Sequence, residues 1–403
     1  MKVPRTLKFT GKDPSIKGYE KHKLLERLEK LIREENPKII DDSMMQKVPN
    51  MLIGSYNYPN INTGFLSSNN VQDEDNPKEW SENPKISIKD IILKRQSLLN
   101  SRFKTDVKNP RFQDKLKEVS LSQKSLDAEI FINGTKKREF SFNQDTLPHG
   151  PVSELKKIDI LENAKIPFHV QRAESDSDLR AHEAIETLNK RGIDEHFLTK
   201  IVSAGNLGLK TQRKIVPTRW SITMIDDTLG KKYIKQIETQ EMHEVSFFRG
   251  NYLGNHYYCI IIPGPWSFEL FETYTEGLKN ASQYQSATDH ETAHGRKTYA
   301  HNTSGGYYAS RIAALEYLAK VKKRGRVIIF RFITDEYWAP LGVWVVREAT
   351  RKAFKKEPQT FETKEDVIKY CFLRALKEFK ININPLIRDS KIIKEAQTQR
   401  TLL

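Results

Sequence analysis

From Lys279 to Arg311 the chain contains not one Leu, Ile, Val, Met or Phe. A helix there has no aliphatic stripe to bury, so the stretch reads as a polar, Tyr- and His-rich active or binding loop between better-packed elements. That restriction bears on His290-Glu291-Thr292-Ala293-His294, which fits H-E-x-x-H. On a helix this spacing sets two imidazoles one turn apart, with the glutamate beside them as general base of a zinc hydrolase. Glu316 stands at a separation that suits a third ligand, or equally on the solvated face of its helix. Lacking a face to bury, and with Gly295 stopping a helix just after His294, the zinc-hydrolase reading is disfavoured and zinc is not expected.

The same loop continues through Arg296 and Lys297 to Thr303-Ser304-Gly305-Gly306-Tyr307, where the periodic Tyr308, Ile312, Leu315 and Ala319 begin a helix. Small residues at a helix start leave backbone N–H groups open, and with nearby cations they make a phosphate site. The alternative is an ordinary Thr/Ser N-cap with glycines for close packing.

Composition sets the outer bounds. A chain of 403 residues, 37% hydrophobic, is long enough for two or three domains with their own cores. Its net charge of +15 favours a polyanionic partner such as nucleic acid, though it also suits a soluble, self-repelling surface. Two cysteines, Cys259 and Cys371, rule out a disulfide framework and a Cys-x-x-Cys zinc site, which points to the reducing cytoplasm. There is no signal-peptide pattern and no long apolar run, so no membrane partner is expected.

Along the chain, Leu24, Leu25, Leu28, Leu31 and Ile32 predict an amphipathic helix over 19–35, and the proline-punctuated stretch 67–85 predicts a surface loop. "DIILKRQSLLN" and "RFQDKLKEVSLSQKSL" predict short helices, and alternation in "AEIFING" and "KIPFHVQR" predicts sheet. Helices follow around Ala181, Ile185 and Leu188 and around Leu198 and Ile201. Later, "HYYCIIIP", "RVIIFRFI" and "LGVWVVRE" predict strands, mixed with helices at 308–323 and 363–379. The fold class is α+β, with mixed sheets and flanking helices in two domains. The divisions expected are a helical segment 1–50, an α+β region 51–210, a second α+β domain 211–385 carrying the functional cleft, and a polar tail 386–403.

In "VPTRWSITMIDDTLGKKYIKQI" a strand is expected to deliver Asp226 and Asp227 to the start of a helix. Adjacent carboxylates there can hold Mg²⁺ or Mn²⁺ for phosphodiester chemistry, or one can cap the helix while the other is solvated. Arg219 and Trp220 upstream supply a cation and a stacking face. Trp266 and Phe268 are expected in the core, while Glu269 and Glu272 are candidates to complete a metal site. Lys322, Lys323 and Arg324, together with the cluster from Arg347 to Lys356, can track phosphates or simply finish helices in solvent.

Taken in order, "VPTRWSITMIDDTLGKKYI", "GNYLGNHYYCIIIPGPWSFELFE", "GRKTYAHNTSGGYYASRIAALEYL" and "PLGVWVVRE" resemble the archaeal DNA-repair family called Nre. "PNMLIGSYNYPNINTG" and "ESDSDLRAHEAIETL" resemble its N-terminal region. The family's motifs fall here on Pro217 to Ser221, Asp226, Asp227, Gly264 to Trp266, Gly295 to Lys297, and Gly305 to Tyr308. In that pattern "GRK" is the family signal, and H-E-x-x-H is not part of it. The resemblance implies a DNA-repair factor linked to the sliding clamp PCNA, with no defined catalytic activity to carry over. Relatives carry an N-terminal cysteine cluster that this chain lacks. They also end in a clamp-binding peptide of the form Gln-x-x-aliphatic-x-x-aromatic-aromatic, of which "QRTLL" keeps Gln399 and Leu402 but not the aromatic pair, so these 403 residues are expected to bind the clamp weakly. The leading expectation is therefore a repair factor that binds DNA through its basic C-terminal half and the clamp through its tail. A metal-dependent nuclease at Asp226 and Asp227, and the zinc hydrolase at His290 and His294, remain as alternatives.

Overall fold

The computed structural model describes residues 43–69, 75–133, 148–275, 286–293 and 295–398. The helix expected over 19–35, His294, Gln399 and Leu402 lie outside them. The described residues form two compact units: Ser43 to Thr228 with Pro340–Gly342, and Leu229 to Ala339 with Val343 to Thr398. The mixed content makes the class α+β, as the sequence predicts.

Short alternating strands dominate the first unit. β1 (Ser43–Ile53), β2 (Asn60–Ser68), β3 (Leu99–Asp106), β4 (Leu126–Ile132) and β5 (Val152–Ile160) close into a barrel in the order β1-β2-β3-β5-β4. β3 and β5 run parallel, and the other neighbours, including β4 against β1, run antiparallel. Every second side chain points inward, so Ile61, Phe65, Phe103, Ile130 and Ile132 fill the interior. The helix Gln113–Leu121, between β3 and β4, adds Leu116 and Val119 to that core. Ile215 joins it from the segment after the helix Glu195–Ser203, and its amide donates to the Val107 carbonyl at 3.0 Å. Lys200 on the same helix is half-buried and donates to the carbonyls of Pro49 and Ser122 at 3.3 and 2.8 Å. Burial lowers its ammonium pKa to about 8.

Longer apolar runs shape the second unit. A pair of two-residue strands, β6 (Glu241–Met242) and β11 (Lys323–Arg324), stands apart from a six-stranded sheet. That sheet consists of β7 (Ser246–Tyr252), β8 (Asn255–Ile262), β9 (Ser267–Tyr274), β10 (Ser286–Glu291), β12 (Arg326–Ile333) and β13 (Gln359–Thr360), ordered β10-β9-β12-β8-β7-β13. β7 turns into β8 through Leu253 and Gly254, both left-handed at φ 48° and 74°, the pair of conformations a two-residue hairpin turn requires. β12 is buried at every position because helices cover both faces of the sheet. Helices Lys364–Phe379 and Lys391–Thr398 pack Val367, Cys371, Ile392 and Ile393 against Tyr258, Ile260 and Phe330. On the other face, Phe248 meets Tyr317 of helix Ser304–Val321 and Phe354 of helix Val343–Phe354.

Several local expectations change. "VPTRWSITMIDD" enters the helix Thr218–Ile237 and not a strand. Ser221, Ile225 and Leu229 are buried at intervals of four, a helical stripe that the β-rich run "WSITMI" obscures. "LGVWVVRE" opens the helix Val343–Phe354, where tertiary packing on β7 and β8 outweighs the strand preference of Val and Trp. "PFHVQR" starts the helix Phe168–Ser175, and within the expected loop 67–85 the short helix Pro77–Glu82 begins at an Asn76 cap. The expected tail is partly folded, as helices Asn384–Asp389 and Lys391–Thr398. No helix among the described residues is long and apolar enough to cross a membrane.

Candidate functional site

In the second unit the Tyr/His-rich stretch is wired internally. His290 and Glu291 end strand β10, paired with Glu269 and Phe268 of β9, so the helix that H-E-x-x-H needs is absent there. Strand geometry turns consecutive side chains to opposite faces. Glu291 points inward at 3% exposure, accepts from Trp266 Nε1 at 2.6 Å, and pairs with Arg311 Nε at 2.7 Å. Both members of that ion pair are nearly fully buried, which makes Glu291 an acceptor for fixed donors and not a free base. Glu316 is held by Arg351 through two hydrogen bonds of 2.8 Å, a bidentate clamp that replaces its expected role as ligand or solvated side chain.

The expected phosphate cradle is filled by the protein's own carboxylate. Asp289 accepts from the Thr303 amide at 2.8 Å and from the Thr303 hydroxyl at 3.0 Å, just ahead of helix Ser304–Val321. Its second oxygen lies 3.2 Å from Arg296. Arg296 also donates to the carbonyls of His290, Thr298 and Tyr299, and lies over the Tyr307 ring. Gly305 and Gly306 are buried, and a methyl group on Gly306 would come within 2.7 Å of a Glu272 oxygen. Tyr307 is fully buried, and burial raises its phenol pKa. Lys297 is exposed. Internal bonding thus engages Thr303, and close packing encloses Gly305 and Gly306.

Each candidate metal carboxylate has its own setting. Asp226 is buried and Asp227 half-buried at consecutive positions of helix Thr218–Ile237, which sends their side chains about 100° apart around the axis. Glu269 instead caps helix Lys391–Thr398, accepting from the Ser390 hydroxyl and from the amides of Lys391 and Ile392 at 3.1 and 3.2 Å. Glu272 pairs with Arg331 at 2.5 Å. Among the described residues no group of three or more His, Cys, Asp or Glu side chains converges as a metal site would. Of the basic set, Lys322 is exposed, Lys323 pairs with Glu241 at 2.6 Å, and Arg324 donates to the Glu238 carbonyl at 2.7 Å.

In the first unit an aromatic cluster stands in solvent. The β1–β2 connection carries Tyr56 at 74% and Tyr58 at 40% exposure, and Trp220, in the first turn of its helix, is 44% exposed. Arg219 beside it is half-buried. The rings of Tyr58 and Trp220 are 5.1 Å apart, and Lys214 Nζ lies 5.9 Å from the Tyr58 ring centre. This rim is anchored twice: the Ile53 amide donates to Thr218 Oγ1 at 3.0 Å, and the Val107 amide to the Pro59 carbonyl at 3.2 Å. Trp220, read from the sequence as a stacking face, is part-exposed and packs on Tyr58. Tyr56, Tyr58 and Lys214 beside it are not singled out by the sequence. Their signal was two tyrosines in a turn, "GSYNYPN", between two alternating strands.

These features define a class: an α+β protein of two units, one a five-stranded barrel with an aromatic rim, the other a helix-covered sheet braced by buried arginine–carboxylate pairs. The chain belongs to the archaeal Nre family: the description "Archaeal Nre, N-terminal" matches residues 17–278, and "Archaeal Nre, C-terminal" matches 291–403. It is 35% identical to DNA repair protein NreA of Haloferax volcanii, over 80% of each chain. It is 32% identical to DNA repair protein NreB of Archaeoglobus fulgidus, over 90% of this chain and 91% of that one. DNA repair protein NreA of the same organism is 33% identical over 79% and 82%. No solved structure matches.

Proposed function

We propose that this chain is a cytoplasmic DNA-repair factor that binds DNA and contacts the sliding clamp PCNA through its C-terminal end. The observation that carries the repair role is the likeness to relatives named DNA repair proteins, which runs through both units. A net charge of +15 supports a polyanionic partner, and the free thiols of Cys259 and Cys371 suit a reducing compartment. Lys322, Lys323 and Arg324 follow one another where helix Ser304–Val321 ends, a compact cationic edge for duplex phosphates. Replacing all three with Ala is expected to flatten the slope of log affinity against log salt by about 0.9 for each phosphate no longer neutralised. An unchanged slope moves the duplex surface elsewhere.

Clamp binding is assigned to Gln399 and Leu402, which match two anchors of a clamp-binding peptide. Helix Lys391–Thr398 buries Ile392, Ile393 and Ala396, so truncation after Thr398 removes both anchors and leaves the docked helix intact. Because the aromatic pair of that peptide is missing from these 403 residues, calorimetry with PCNA should show weak binding by the full chain, none by the truncated one, and tight binding once Asp-Phe-Phe is added after Leu403. Equal binding by both would put the contact outside the tail.

A further inference from the structure

We infer that the rim formed by Tyr56, Tyr58 and Trp220 is a binding site for single-stranded DNA, with Lys214 and Lys104 on its phosphates. The inference rests on the DNA-binding reading above and assigns it a second surface and a strand preference.

Three observations converge. First, large aromatic rings are normally put to use by burial, yet Tyr56 and Tyr58 on the β1–β2 loop and Trp220 at the start of its helix are 40–74% exposed, and the loop is hydrogen-bonded in place at both ends. Fixed, solvent-facing rings offer flat apolar faces at little ordering cost, the property that unpaired bases need and that duplex DNA, with its bases already stacked, cannot exploit. Second, two cations lie on these elements: Lys214 sits over the Tyr58 ring, and Lys104 is exposed on β3 opposite Asn62 of β2, two residues before Asp106, whose carboxylate is engaged by the amides of Lys108 and Asn109. Phosphates of a strand laid across β2 and β3 would meet these cations while its bases reached the rim. Third, the barrel order β1-β2-β3-β5-β4, with β3 and β5 parallel and a helix between β3 and β4, is the Greek-key arrangement whose second and third strands and β1–β2 loop carry oligonucleotides in oligonucleotide-binding barrels. Tyr56 and Tyr58 occupy that loop, and Trp220 packs against it through Tyr58. The stretches "GSYNYPN" and "VPTRW", far apart in sequence, meet there through the Tyr58–Trp220 contact.

The test is fluorescence anisotropy with a labelled oligo-dT and, separately, a labelled duplex, using the full chain. Tyr58→Ala with Trp220→Ala is expected to weaken oligo-dT binding about ten- to hundredfold and to leave duplex affinity unchanged. Tyr56→Ala, at a residue too exposed to support the fold, should weaken oligo-dT about fivefold, and Trp220→Phe should retain most of the affinity because a stacking face remains. Tyr58→Leu with Trp220→Leu preserves apolar bulk and must fail like the alanine pair. If it binds oligo-dT as wild type does, stacking is not the mechanism and the inference falls. Duplex binding by wild type with oligo-dT affinity unmoved by every rim variant overturns this inference while sparing the DNA-binding reading. Binding of neither probe by wild type overturns that reading, and this one with it. Tighter binding of oligo-U than oligo-dT would overturn the assignment to DNA.

Discussion

The two units spend their aromatic and charged side chains in opposite ways. In the sheet unit Trp266, Phe268 and Tyr307 are buried, Trp266 donates to the equally buried Glu291–Arg311 pair, and the half-buried Arg296 lies over the Tyr307 ring. In the barrel unit Tyr56, Tyr58 and Trp220 face water beside exposed lysines, while its buried charges, such as Arg95 on Asp75 at 2.6 Å, lie among structural contacts. The segment whose residues look most like chemistry is thus engaged in internal contacts, and a less conspicuous loop exposes its rings. A polar motif without aliphatic residues must bury ion pairs and hydrogen bonds to pack at all, and that requirement produces the same residue types an active site uses.

The sharpest way to break this contrast is Glu291→Gln. If the network is scaffold, leaving Arg311 buried without its counter-charge should cost about 3–5 kcal/mol, read from urea unfolding, while the protein that remains folded binds DNA normally. Full stability with lost binding would reverse the roles assigned to the two units.

Acid should separate the units next. Burial lowers the His149 imidazole to about 4, with Arg102 and Arg95 acting in the same direction against the hydrogen bond to the Gly150 carbonyl. The unfolded chain protonates first, near pH 6.5, so this contribution is fully present above that pH and is lost as pH falls towards 4. The loss amounts to about 3 kcal/mol in the barrel unit. His149→Gln should flatten that acid limb in circular dichroism, and an unaltered limb would assign it to other groups.

A smaller effect tests the glycines at the start of helix Ser304–Val321. Gly306→Ala pushes a methyl group against Glu272 and its Arg331 partner and should cost about 1–3 kcal/mol in thermal unfolding, with DNA affinity intact. A stable variant with weakened duplex binding would revive the phosphate cradle.

Much of the architecture was legible. Strands at "HYYCIIIP" and "RVIIFRFI", helices around Ala181 and Leu198, and the core positions of Trp266 and Phe268 follow from local pattern alone. Helices 218–237 and 343–354 did not, because β-branched and aromatic residues fill helical faces that only the completed sheet defines. The barrel closure was equally hidden, since it depends on β4 finding β1 across the chain. For the site, Trp220 could be read from its neighbours, but its pairing with Tyr58 is a long-range contact that spacing cannot express.

One feature of the sheet unit sets a mechanical limit. Glu269 fastens the start of helix Lys391–Thr398 to β9, and Gln399 follows that helix by a single peptide bond. A partner that grips Gln399 is therefore coupled to the sheet with almost no leash. Loose tethers let two bodies tumble independently and trade orientation for reach, whereas a short one transmits torque and restricts the search to a narrow cone. On that footing, clamp association would orient the sheet unit as well as recruit it, and inserting a flexible glycine–serine spacer after Thr398 should preserve clamp affinity while releasing the orientation.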